Sequence, residues 1–377
     1  MRLDSRGRWA DNATMAQSTP GGRKLRVVQW ATGNVGLEAL RAILDHPALE
    51  LAGVLVYSDD KHGVDAGTLC GRPATGVRAT KSPAEIVALA ADCVCYTPRR
   101  ADLDEVCRLL DSGKNVVATP FLFYPPQLPE PDRKKLEAAC TKGSASVHGT
   151  GINPGFVGEV LPLVLTGMSR RIERLHVQER ANWSLYASPH ITFDNMRFGH
   201  PAAEATLEAN AFAKFNSGIF EEQIRMLGDG LGAKLDEIRV SQELIPAATD
   251  FEITGGTVKR GTVSGQRYRW EGIVNGRSAI EIEALWTVGS DYPESWPRPK
   301  DGWTVTLEGD PSFKVHFMPA ATFDRSKRAT IDEHVHSADI ATAMQAVNAI
   351  EAVCAAPAGI RTFLDLPLIR GAASLRA

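Results

Sequence analysis

Two hydrophobic patterns divide the chain. From residue 24 to about 169, short apolar runs alternate with segments whose apolar residues recur at helical spacing, as parallel strands joined by helices do. Leu25-Arg-Val-Val-Gln-Trp30 reads as the first strand, and Leu37, Leu40 and Leu44 mark one face of a helix over 37–45. The unbroken apolar run Leu51-Ala-Gly-Val-Leu-Val56 predicts a strand buried on both faces. Ser82-Pro83 offers a cap followed by proline, which opens a short helix. Two more strands are predicted over 92–96 and 115–118, with an amphipathic helix over 103–112 between them. A helix over 131–142, with Gly143 just past its end, precedes a short strand at 146–148. That strand runs into Gly149-Thr-Gly-Ile-Asn-Pro-Gly155, and a helix over 156–166 follows.

After Ser169 the pattern changes. Residues 204–215 and 220–231 look like two helices, whereas 257–317 is dominated by strand alternation. Arg267–Ile273 and Ala279–Val288 flank Val274-Asn-Gly-Arg277, a strong hairpin signal, and two short strands surround Gly309-Asp-Pro311. The proline-rich stretch 292–302 reads as a surface loop, and the Ala-rich stretch 340–354 as a long helix that packs back on the first domain. The fold class expected is α/β: a Rossmann-type parallel sheet with a second α+β domain built on an open, mainly antiparallel sheet. The domain limits expected are a disordered tail over 1–22, a dinucleotide-binding domain over 23–169, a substrate and dimerisation domain over 170–330, and a returning segment over 331–377.

Composition removes several function classes. A net charge of −3 and the lack of a basic stripe argue against nucleic acid as a partner. No stretch reaches the roughly 18–20 apolar residues that span a bilayer, so no membrane is expected. Residues 1–22 carry Arg2, Arg6 and Arg8 without an apolar run, which does not match a secretory signal, and Met15 offers an alternative start. Six cysteines without a C-x-x-C pair read as buried thiols of a reducing compartment, hence a cytoplasmic protein.

The chemistry begins at Ala31-Thr-Gly33-Asn-Val-Gly36, between a strand and a helix. This is the dinucleotide fingerprint with alanine at the first glycine position. Gly33 lets backbone approach a pyrophosphate, Gly36 lets the helix pack on the strand, and the helix start around Thr32, Asn34 and Val35 offers N–H groups to phosphate. The second strand ends at Tyr57-Ser-Asp-Asp-Lys61, where Asp59 favours the ribose of NAD while Ser58 and Lys61 favour the 2′-phosphate of NADP. Thr97-Pro98 is either an ordinary turn or a neighbour of the nicotinamide ribose. The 149–155 loop lies where ligands bind in such sheets, and Asn153 and Gly155 stand in it, with an amide able to meet a carboxamide or a substrate nitrogen. Trp183, Tyr186 and Phe198 gather aromatic rings near polar groups, either as core or as a substrate pocket. Asp332-Glu-His-Val-His336 would hold metal only on a strand, and no metal is expected.

The stretches Val27-Val-Gln-Trp-Ala-Thr-Gly-Asn-Val-Gly36, Val56–Gly67, Leu69-Cys-Gly71 and Gly149–Phe156 resemble the 2,4-diaminopentanoate dehydrogenase family, which includes native amine dehydrogenases. Ala346-Val-Asn-Ala-Ile350 and Val353-Cys-Ala-Ala-Pro357 also resemble it. The resemblance implies NAD(P)-dependent oxidation of a small primary amine with release of ammonia, reversible as reductive amination of a ketone or aldehyde. It also implies NADP(H), alongside NAD(H), as cofactor, and a homodimer formed through the second-domain sheet. The family carries a glutamate just after its fifth strand, but the matching stretch Thr119-Pro-Phe-Leu-Phe-Tyr124 has no carboxylate. Glu159, Tyr124 or His148 could take its place. The simpler readings are Glu159 as a dipole-favoured residue of a helical first turn and His148 as a satisfied core histidine. The alternatives are an ammonia-independent reductase of a carbonyl or cyclic imine, and a cofactor-binding sensor without catalysis.

Overall fold

The computed structural model describes residues 23–371 apart from 187, 290–291, 298–299 and 325; the tail expected over 1–22, with Met15, lies outside the described residues. The first half follows a strand–helix rhythm: β1 (Leu25–Trp30), α1 (Asn34–Asp45), β2 (Leu49–Leu55), α2 (Ala66–Cys70), α3 (Pro83–Ala88) and β3 (Cys93–Tyr96). It continues through α4 (Leu103–Asp111), β4 (Asn115–Ala118), α5 (Glu130–Gly143) and β5 (Ser146–Gly149). A wide helical turn, Ile152–Val160, broken at Asn153, Pro154 and Gly155, leads into α6 (Leu161–Thr166). Ser82 caps α3 by accepting the Glu85 N–H. Gly143 lies inside α5 rather than past it, and Ser144 takes the left-handed cap at φ 51°. The reason is proximity: a Cβ on Gly143 would come within 1.7 Å of the Leu110 carbonyl oxygen, so glycine is needed for helix contact and not for the turn.

The second half contains β6 (Arg171–Asn182), α7 (Ala211–Gly230), β7 (Glu237–Pro246), the small hairpin β8 (Phe251–Ile253) and β9 (Gly256–Val258), β10 (Val263–Val274) and β11 (Arg277–Thr287). It ends with β12 (Gly302–Asp310) and β13 (Phe313–Phe317). The two helices expected over 204–231 are one. Asn210 caps α7 by accepting the Phe212 N–H, and 204–210 is a tight turn followed by bends. Ser217, which resembles a linker residue, is buried in mid-helix and accepts the Trp270 indole N–H at 2.9 Å. The 292–302 stretch is a loop, but not wholly a surface one: Trp296 is buried and donates its indole N–H to Glu243. The chain then returns through α8 (Ile331–Ala355), opened by a reciprocal Thr330/Glu333 capping box, and β14 (Gly359–Arg361).

Two six-stranded sheets result. The first runs β14-β5-β4-β3-β1-β2 with every pair parallel. Its strands are buried on both sides: Val27 joins Leu40, Ile43, Val347 and Ile350 in one layer, while Val28 and Trp30 join Ile86, Leu109 and Leu136 in the other. The strand order reverses between β1 and β3, so the crevice outside their carboxyl ends is where such sheets bind ligands. The second sheet, β13-β12-β6-β11-β10-β7, is antiparallel except for its central β6/β11 pair. At the β10–β11 hairpin Asn275 and Gly276 both take positive φ, the conformation that makes a two-residue turn match strand twist.

Phe220 of α7 stacks on Trp270 of β10 at 4.2 Å, and α6 and α7 share one core with Leu175, Val177 and Ile282. The opposite sheet face is polar. There His176, Glu281 and Glu283 approach one another, and Arg267 donates to Glu283 at 2.6 Å. Desolvation would raise the Glu283 carboxyl, but His176, Gln178 and Arg267 hold it down at about 2. No helix among the described residues is long and apolar enough to cross a membrane.

Candidate active site

The turn after β1 is held from below. Gln29 is wholly buried in β1; its amide donates to the Ala31 carbonyl and to Thr97 Oγ1, both at 2.8 Å. Thr97 donates in turn to the Trp30 carbonyl at 3.0 Å. Ala31 sits at φ 76°, a left-handed conformation that costs an L-residue roughly 1 kcal/mol and persists because these bonds fix it. Gly33 precedes α1 without any side-chain cap, so the first N–H groups of the helix remain available. A Cβ at Gly33 would meet nothing within 4 Å, whereas one at Gly36 would lie 2.3 Å from the Ala31 carbonyl and 2.9 Å from Thr97 Oγ1. An open helix start with a bare backbone in front of it fits a dinucleotide pyrophosphate.

Lys61 reaches back to this turn, donating to the Thr32 carbonyl at 2.9 Å and to its hydroxyl at 3.3 Å. Asp59 instead pairs with Lys81 at the surface, and Ser58 is exposed beside it. Pro98 is buried next to Thr97. On the other side of α1, Asn34 bonds the Asp339 carboxylate of α8. His336 lies between Asp339, at 3.2 Å, and Glu38, at 2.8 Å. Residues 332–336 are thus the first turn of a helix, where His334 and His336 leave on different sides, and His334 accepts the Ala321 N–H.

A second constellation forms where the loops after β4 and β5 meet α7. A Cβ on Gly149 would fall 2.2 Å from the Leu122 carbonyl, so the two loops touch. Asn153 is held at both ends of its amide: Nδ2 donates to Glu179 at 2.7 Å, and Oδ1 accepts from Gln223 at 2.9 Å. Glu179 also accepts the indole N–H groups of Trp286, at 2.7 Å, and Trp303, at 2.9 Å. Glu159 is buried and turns back to accept the Gly155 N–H at 2.6 Å. Burial pushes its carboxyl up to about 8, against the pull of Gly155 and Gln223. Tyr124 donates its phenol to Asp229, and its backbone N–H meets Glu222 at 3.0 Å. Burial also raises Glu222, to about 7.

Of the other candidates, His148 and Phe198 point away from these groups, whereas Trp183 meets Trp286, the donor to Glu179. His148 is buried on β5 against the Arg361 carbonyl, 2.8 Å away, with its ring edge-on to Phe363, and burial lowers it to about 4. Trp183 and Tyr186 pack together at 5.1 Å, and Tyr186 feels the charges of Asp339 and Arg99. Phe198 is wholly buried in the second-domain core. Sequence reasoning missed Gln29, Glu179, Glu222 and Gln223. Gln29 alone carried a signal, as a polar residue inside an apolar strand; the others look like ordinary polar positions on a strand or helix. Directly after the 149–155 loop a cavity of about 370 Å³ opens, lined by Phe156, Val160, Leu163, Gln345, Phe363 and Leu364 among others, with no charged residue.

These carboxyls have a measurable consequence. Both glutamates ionise near 4.5 when unfolded, so between 4.5 and about 8 the folded protein holds protons that the unfolded chain has lost. Stability therefore falls as pH rises through that window. His148, depressed from 6.5 to about 4, acts oppositely but on the acid side, whereas above 6.5 His336, raised by its bond to Glu38, adds to the same fall. Melting followed from pH 6.5 to about 8.5 is expected to show Tm falling by about 5 °C, and Glu159→Gln is expected to remove most of that slope.

Residues 156–375 match the 2,4-diaminopentanoate dehydrogenase C-terminal domain. An amine dehydrogenase of Streptomyces virginiae is 32% identical over 365 residues, covering 91% of this chain and 96% of that one. A 2,4-diaminopentanoate dehydrogenase of Acetoanaerobium sticklandii is 26% identical, covering 77% and 76%. In fold, the structure of an amine dehydrogenase from Mycobacterium smegmatis superposes with a TM-score of 0.70 at 19% identity, over 92% of this chain and 97% of that one. The matched domain takes up more than half of the sequence, and the Streptomyces relative follows the chain over nearly its whole length: the chain belongs to the 2,4-diaminopentanoate dehydrogenase family.

Proposed function

We propose that the protein is a nicotinamide-dinucleotide-dependent amine dehydrogenase that interconverts a small, largely apolar primary amine with a ketone or aldehyde and ammonia. The observation that carries this reading is the uncapped start of α1 behind a glycine that faces open space, at the point where the strand order reverses. When bound there, the nicotinamide supplies a hydride acceptor or donor. The chain supplies the rest: the turn 31–36 grips phosphate, Asn153 is oriented for a carboxamide or substrate nitrogen, and β6 and α7 bring the Glu179 and Glu222 carboxyls to the loops after β5 and β4. Six free thiols suit a cytoplasmic enzyme, and a polar sheet face with buried Glu281 and Glu283 suits a homodimer.

The test is consumption of reduced cofactor on a panel of ketones with and without ammonium. Ammonium-dependent turnover supports the proposal; ammonium-independent turnover makes the protein a carbonyl or imine reductase; tight binding without turnover makes it a sensor. The preference proposed is for NADP(H), because Lys61 stands at the fingerprint while Asp59 is engaged by Lys81. Lys61→Ala is expected to weaken NADPH binding about 10- to 100-fold and NADH binding only a few-fold, read by fluorescence titration. Equal losses would mean that Lys61 does not read the 2′-phosphate.

A further inference from the structure

We propose that Glu222 of α7 is the carboxyl group that exchanges protons with the substrate nitrogen, standing in from the second domain for the acid absent from the loop after β4. The inference rests on the amine dehydrogenase reading and deepens it. The 119–124 loop has no carboxylate of its own, yet Glu222 enters it from across the crevice and accepts the Tyr124 N–H at 3.0 Å. Only one carboxylate oxygen is used in this way; the other has no protein partner among the described residues. The next residue in sequence, Gln223, is wholly buried and anchors Asn153, and its Oε1 is left without a hydrogen-bond partner. The other acids nearby are committed: Glu159 to the Gly155 N–H, Glu179 to three N–H donors, and Asp229 to the Tyr124 phenol.

The charges around Glu222 are few. Glu159 faces it from the Rossmann side, Tyr124 presents its N–H, and on its own helix Glu221 and Arg225 are the nearest charges in sequence. Burial, against the pull of the Tyr124 N–H, keeps the carboxyl near the midpoint of its titration at neutral pH, where a group can both take and give a proton. In the oxidative direction the ionised carboxylate takes one N–H proton from the alkylammonium, leaving a free amine. The carbon–hydrogen pair of electrons then departs as hydride to the oxidised nicotinamide dinucleotide while the nitrogen lone pair closes the C=N bond. The proton on Glu222 returns to solvent, and water adds to the iminium carbon before ammonia leaves.

Glu222→Gln, made in the full chain, tests this. Amine oxidation is expected to slow at least about 100-fold, with loss of the near-neutral limb of the pH profile. NADPH affinity by fluorescence titration should stay within about twofold, since Glu222 is remote from the fingerprint. In cofactor-free protein the fall in Tm above pH 6.5 should become shallower. Glu222→Ala with added formate, which restores a carboxylate but not a fold, should recover part of the rate. Should the glutamine variant fail to fold, Glu222→Asp should keep the pH limb at a reduced rate. A wild-type enzyme that turns over while Glu222→Gln keeps its rate and its pH limb overturns the assignment of Glu222. A wild-type enzyme inactive on every amine and ketone overturns the amine dehydrogenase reading instead.

Discussion

Gly36→Val is expected to abolish cofactor binding, lowering affinity by more than about 100-fold, while the second domain keeps its fold. The added side chain begins at a Cβ only 2.3 Å from the Ala31 carbonyl and 2.9 Å from Thr97 Oγ1. Backbone cannot yield there cheaply, because Ala31 is already held in a left-handed conformation by Gln29 and because Thr97 is tied to the Trp30 carbonyl. The helix start must therefore swing away from the strand, and its N–H groups lose their aim. Fluorescence titration with NADPH measures the loss, and circular dichroism with thermal melting checks that the rest of the chain survives. Unchanged affinity would sink the fingerprint assignment.

Glu179→Ala is the second large effect. Its carboxylate gathers N–H groups from Asn153, Trp286 and Trp303, which come from three separate stretches of chain. Removing it leaves three donors without an acceptor, at roughly 1–3 kcal/mol each where burial keeps water out. A drop in Tm of about 10 °C is expected by differential scanning fluorimetry. Any folded fraction should lose turnover more than NADPH affinity, because Asn153 is no longer aimed. Glu179→Gln keeps one acceptor oxygen and should recover about half of the stability. A Tm unchanged in the alanine variant would show that the indoles and the amide do not depend on this acid.

The first domain was readable because its strands are buried on both faces and its helices on one, so periodicity and apolar runs switch cleanly at each boundary. The Asn275-Gly276 hairpin was readable for a different reason, since few sequences tolerate two consecutive positive φ angles. β6 and β7 escaped. Arg174, His176, Gln178 and Arg180 line one face of β6, and its partner in β11 lies more than a hundred residues along the chain, where no local rule can see it. α7 was divided because Asn216-Ser-Gly218 looks like a break, although Ser217 is held by the Trp270 indole. Glu222 was equally hidden: in sequence it is one of three acids on an amphipathic helix, with Glu221 and Asp229. What makes it notable is the Tyr124 N–H brought to it from another domain.

The return of α8 and β14 to the first sheet fixes an order of events during synthesis. Five strands emerge first, but the sheet has its sixth, and the helix lying along α1, only after the entire second domain has left the ribosome. The first sheet is thus the first to emerge and the last to be completed. Nascent chains stalled before Gly359 would carry a sheet whose β5 edge is still unpaired, open to chaperones and to wrong partners alike.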